Sequence, residues 1–186
     1  MESDEVTKTE HRARLAYEAS RLRRAVVAFA PILLLVVAAA LIGHRVEYAM
    51  VFGSALFAVG VVLLWYGHDI RRAVIPGVLA GLVPLVFALC AKRMGHACTG
   101  DGCMTLCVPA CAAGGFLAGI VINVAWFRHG RYFGFWLAAS AVTLLTGAMG
   151  CACTGVLGLV GLTLGYAATA VGGLLLAVLR RRSAVR

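Results

Sequence analysis

Seven cysteines carry most of the chemistry open to this 186-residue chain, and six of them fall in two short stretches. The first reads His96-Ala-Cys98-Thr-Gly-Asp101-Gly-Cys103-Met-Thr-Leu-Cys107-Val-Pro109-Ala-Cys111, and the second is Gly150-Cys151-Ala-Cys153. Cys90 stands apart among apolar neighbours, where a thiol behaves as a small inert hydrophobe. Three chemistries fit the cluster Cys98, Cys103, Cys107, Cys111, Cys151 and Cys153. Thiols in an oxidising compartment pair, which would staple a loop. Thiolates with imidazole suit soft metals, so His96, Cys103, Cys107, Cys151 and Cys153 are candidate ligands for Zn or Cu in a metal or redox sensor. Thiol oxidoreduction is the third, with Cys151-Ala-Cys153 in place of the usual C-x-x-C. No paired C-x2-C of a zinc finger occurs, so the spacing alone does not choose among them. His44 and His96 also read as ordinary interfacial residues, and Asp101 between Gly100 and Gly102 reads as a turn.

The elements that must position these thiols are membrane spans. Apolar residues make up 62% of the chain and charged ones 13%, far from the balance of a soluble domain. Six uncharged stretches are long enough to cross ~30 Å of hydrocarbon: residues 25–43, 48–67, 73–91, 108–127, 132–150 and 155–179. The fold class is therefore all-α, a six-helix polytopic membrane bundle. It divides into an N-terminal segment (1–24), a transmembrane domain (25–179) and a basic tail (180–186). The first span is expected to stay uncleaved, because Glu2, Asp4, Glu5, Glu10 and Glu18 precede it and a signal peptide has a short, simply basic start.

Of the 17 Lys and Arg, 14 lie in the two tails and in the second and fourth breaks, and three, Arg45, Lys92 and Arg93, in the others. That bias places both termini in the cytoplasm, as expected of a multi-pass protein of a bacterial inner membrane. It also accounts for the +9 charge without direct nucleic-acid binding. Every cysteine then falls at the outer face. Two starts are open for the fourth span. Pro109 suits a first helical position; a helix already running from Cys103 would instead align Cys103, Cys107 and Cys111 as one stripe.

No span carries an ionisable residue in its interior, which argues against proton-coupled transport. Asn123 is the strongest intramembrane polar group, with Ser54, Ser140, Thr143, Thr146, Thr163 and Thr169 as weaker ones. Gly158, Gly161, Gly165, Ala168 and Gly172 in the last span, and Gly115 and Gly119 in the fourth, are small residues at helix-packing spacings, which serve either internal packing or a homo-oligomer. Trp65, Tyr66, Trp126, Tyr132 and Trp136 form a cytoplasmic aromatic belt, with Tyr48 at the outer boundary. No phosphate loop, nucleophile elbow or zincin helix appears, and no enzyme activity is expected.

The N-terminal segment is the one sizeable cytoplasmic piece. Thr7 and Glu10 have capping-box spacing, and Leu15, Ala19, Leu22 and Val26 share one helical face, predicting a helix over 8–24. It could lie on anionic lipid through Arg21, Arg23 and Arg24, or dock a soluble partner through Leu15, Tyr17, Glu18 and Leu22.

In plan the chain resembles the six-span membrane anti-sigma factors of the NrsF type. The features shared are the short charged N-terminus, Asp69-Ile-Arg71-Arg72 before a Gly- and Pro-containing third span, outer-loop cysteines, a Gly150-Cys151 junction and a Gly-rich last span ending in Arg180-Arg181-Arg182. The six clustered outer cysteines are more than this family leads one to expect. The resemblance implies that residues 1–24 hold a sigma factor and that a stimulus acts at the outer cysteines. The alternative is a small soft-metal transport or thiol-redox protein.

Overall fold

The computed structural model describes the backbone over residues 2–43, 46–66, 71–94, 96–99, 102–129, 132–151 and 155–183. Side chains are described over 11–41, 46–65, 71–91, 106–129, 132–151 and 155–173, and at 175. Seven helices and a hairpin follow in chain order among these residues: α1 (Glu2–Phe29), α2 (Pro31–Gly43), α3 (Val46–Tyr66), α4 (Arg71–Met94), β1 (His96–Thr99), β2 (Gly102–Thr105), α5 (Cys107–Arg128), α6 (Phe133–Cys151) and α7 (Val156–Ser183). Helices α1 and α2 together make the first of six spans long and apolar enough to cross a membrane, and the chain is a multi-pass membrane protein.

The first span departs most from expectation. A single helix of 28 residues runs from Glu2 into the bilayer with no break at Arg24, and Thr7 lies inside it, so the capping-box start is corrected. Charged positions stop at Arg24 while the helical backbone does not, because Ala25-Val-Val-Ala-Phe29 propagates the helix already formed. The break comes at Pro31, which has no N–H to donate to the carbonyl four residues back. The chain tightens there instead, with Ala30 N–H donating to Val27 O (3.3 Å) and Leu33 N–H to Ala30 O (2.9 Å).

Close packing rests on missing side chains. The α1/α2 unit packs antiparallel on α3: Gly60 leaves room for the Phe29 ring and Gly53 for Val36. Helices α4 and α6 run parallel, with Gly77 against Ala139 and Val142, Gly81 against Thr143 and Thr146, and Gly150 against Leu85. Pro84 of α4 is fully buried, and both Gly114 of α5 and Gly147 of α6 give way to it. Helices α5 and α7 form the second parallel pair. Gly115 and Gly119 meet Leu162, Tyr166 and Thr169, while Gly161 and Gly165 meet Val108 and Ala112. Gly115, Gly119, Gly161 and Gly165 therefore serve contacts within the chain. Gly172 faces open space, and the seam continues through Gly173 against Asn123, since 161, 165, 169 and 173 keep a spacing of four.

Polar side chains stitch these seams. Asn123 Nδ2 donates to Thr169 O (2.7 Å) between α5 and α7. Thr143 Oγ1 lies within reach of Ala139 O (2.7 Å) and of Gly77 O on α4 (3.0 Å). Tyr166 Oη donates to Ser140 Oγ (2.6 Å), which donates to Trp136 O (2.7 Å), joining α7 to α6. In hydrocarbon a polar group has no water to fall back on, which is why each of these hydroxyls finds a carbonyl or another hydroxyl.

Candidate functional site

Two regions at opposite ends of the bundle hold the residues singled out in the sequence. At the cysteine end, α4 and α5 are joined by a two-stranded antiparallel hairpin where the sequence suggests a loop. Its signal was present: two four-residue runs, His-Ala-Cys-Thr and Gly-Cys-Met-Thr, flank Gly100-Asp101, a two-residue turn composition. Asp101 itself lies outside the described residues. The hairpin register sets Cys98 opposite Cys103 and His96 opposite Thr105.

Helix α5 starts at Cys107, after Leu106. Both expected starts are thereby corrected. Cys103 belongs to β2, so no stripe runs from Cys103 through Cys111; Cys107 and Cys111 alone are one turn apart. Pro109 is the third helical residue and is still accommodated, because the first intrahelical bond is Ala110 N–H to Leu106 O (3.1 Å) and the donors before it have no partner within the helix.

Cys151 is also placed differently. It ends α6 instead of lying in a loop, and it is fully buried in an apolar cluster with Ala88, Cys111, Ala148 and Leu162, packed by Phe52, Leu144 and Leu159. The end of α6 therefore does come beside the start of α5, and Cys111, with no exposure, shares that cluster with Cys151. Burial of both thiols in apolar surroundings favours packing over exchange with soluble reagents. Cys107 is half-buried, and Cys90 is exposed on the flank of the bundle, in an apolar hollow of about 500 Å³ lined by Val86, Phe87, Leu106 and Pro109. Cys153 and His44 lie outside the described residues, as do the side chains of His96, Cys98 and Cys103. Among the described residues no three His, Cys, Asp or Glu side chains come together as a metal site. Gly155, before α7, has φ +85°, a conformation in which a side chain would be strained.

At the other end, α1 stands away from the bundle over residues 11–24. Residues 11–24 are exposed without exception, including Leu15 (53%), Tyr17 (64%) and Leu22 (40%), together with Glu18. The apolar face predicted for this helix is thus uncovered by the rest of the chain. Within this stretch Arg21 Nη2 donates to Trp65 O (2.6 Å) in the last turn of α3, with the same guanidinium 5.8 Å from the Tyr17 ring centroid. A cation at a helix C-terminus meets carbonyls that lack intrahelical partners.

In the aromatic belt Tyr132 is exposed, whereas Trp126 is set more deeply than its residue type suggested. Trp126 is buried and its Nε1 donates to Tyr132 O (3.1 Å), so it fastens the α5–α6 connection as well as marking depth. His129 stacks on Phe135 with ring centroids 5.1 Å apart. Tyr166 was missed as an intramembrane polar residue, because its neighbours are wholly apolar or small and nothing in the sequence ties it to Ser140, 26 residues earlier. Comparison with protein-family models, curated proteins and solved structures finds no match to this chain.

Proposed function

We propose that this chain is a membrane-embedded regulator, an anti-sigma factor of a bacterial inner membrane, that holds a sigma factor through α1 and responds at its cysteine-rich end. The observation that carries this reading is the exposed stretch 11–24 of α1, which extends the first span with Leu15, Tyr17 and Leu22 uncovered. Arg12, Arg14, Glu18, Arg21, Arg23 and Arg24 keep that stretch out of hydrocarbon. An amphipathic helix with an open apolar face beside the membrane is a groove-docking ligand for a soluble protein. The Lys and Arg bias supports a cytoplasmic location for both termini and an outer location for the hairpin. Signalling is then a population shift, in which a change at the outer thiols favours one packing of the bundle and that packing differs in affinity for the partner.

The test is mass spectrometry of proteins crosslinked to and copurified with the C-terminally tagged chain. A sigma factor enriched with the full chain and lost on deleting residues 1–22 is the expected result. Enrichment of membrane subunits alone overturns the reading. The hairpin register that sets Cys98 opposite Cys103 favours a second reading, a soft-metal transport or thiol-redox protein, which predicts copurifying Zn or Cu and no soluble partner.

A further inference from the structure

The hairpin between α4 and α5 singles out one pair among the six clustered cysteines. A two-residue connection leaves Thr99 and Gly102 as the closing pair, the position that is hydrogen-bonded in two-residue hairpins. Hydrogen-bonded and non-hydrogen-bonded pairs alternate along an antiparallel ladder, so the next pair, Cys98 with Cys103, occupies a non-hydrogen-bonded position. Backbones are closest there, with Cα atoms ~4.5 Å apart, within the ~4.4–6.8 Å that a disulfide spans. Directly opposed positions also share one face of a two-stranded ribbon. Cys107, Cys111 and Cys151, by contrast, are carried by helices, the last two fully buried.

We propose that Cys98 and Cys103 are a dithiol that closes to a cross-strand disulfide, making this hairpin the redox-active element of the protein. The oxidant is a disulfide donor. One cysteine thiolate attacks a donor sulfur, expels a donor thiolate and forms a mixed disulfide. The second cysteine thiolate then displaces the other donor sulfur. Two protein thiols lose two electrons and two protons, and the donor leaves as two thiols. A lone two-stranded hairpin is marginal in water, so the bond changes it from a loosely held ribbon to a fixed strut between α4 and α5. The proposal rests on the topology proposed above only for the oxidising compartment in which the donor meets the hairpin.

Asp101, between the two cysteines, makes the pairing readable. The full chain in lipid nanodiscs is equilibrated with oxidised glutathione, alkylated, unfolded and cleaved on the N-terminal side of aspartate. The fragments beginning at Asp69 and at Asp101 should then remain joined until dithiothreitol is added. The link should vanish in both Cys98→Ser and Cys103→Ser and persist in Cys90→Ser and Cys107→Ser. Fragments that separate without reductant, or a link that survives Cys98→Ser or Cys103→Ser, overturn the proposal. A link of the expected kind in a protein that captures no sigma factor upholds this pairing and removes the regulatory reading alone.

Discussion

Arg21 on α1 reaches across to the carbonyl of Trp65 at the end of α3, 2.6 Å from its Nη2, and so ties the exposed stretch of the helix to the membrane bundle. Replacing Arg21 by Ala should leave insertion intact and loosen α1 around this contact. For a charge-assisted hydrogen bond largely open to water, ~1 kcal/mol is a fair magnitude, or about fivefold faster amide exchange over residues 14–24. Exchange unchanged from the parent would show that α1 is held by its packing alone.

The uncovered side chains of α1 should matter to a partner and not to the fold. The double variant Leu15→Asp, Leu22→Asp alters two exposed positions, where stability changes stay within about 0.5 kcal/mol each. Thermal unfolding in detergent should shift by little, while partner capture should fall at least about tenfold, as for loss of a buried apolar anchor. Equal capture by the variant would move the docking surface elsewhere.

Gly165 in the α5–α7 seam should respond oppositely to Gly134, which lies in no seam. A Cβ on Gly165 would sit on the backbone of Ala112, so Gly165→Val should destabilise by about 2 kcal/mol or force the helices apart. Gly134, with nothing near its would-be Cβ and a helical backbone, should tolerate Ala with a gain of about 0.5 kcal/mol. Thermal denaturation followed by size-exclusion fluorescence distinguishes the two directions.

The Tyr166–Ser140 bond gives an asymmetric pair. Tyr166→Phe removes one interhelical hydrogen bond and leaves Ser140 bonded to Trp136 O, at a cost of about 0.6 kcal/mol. Ser140→Ala leaves a buried phenol without its acceptor, at about 1–2 kcal/mol. Equal losses in the same denaturation assay would mean that Tyr166 finds another acceptor.

Length and the lack of charge were enough to read all six spans from the sequence, since the edge of a hydrocarbon span is marked by the first charged residues. Helices α5, α6 and α7 begin within a residue of the expected span starts. Reading failed where backbone and burial diverge. Cys151 precedes a short break and reads as loop, yet the last turn of α6 carries it into the core beside Cys111. Arg24 marks the start of the hydrocarbon span but no helix boundary, because a helix already formed continues wherever no proline stops it. Tyr166 and Gly173 acquire their roles from neighbours on other helices, which spacing along one helix does not reveal.

The proline break after α1 and the Arg21 contact together define a lever. From the Ala30 fulcrum to Arg21 is ~14 Å of helix at about 1.5 Å per residue, and from the fulcrum to Glu2 is ~42 Å. The mechanical advantage is about threefold, so a 1 Å shift of the α3 terminus becomes about 3 Å of travel at the far tip. On the regulatory reading proposed above, a small shift within the packed bundle would thus be enlarged at the end of α1 farthest from Pro31.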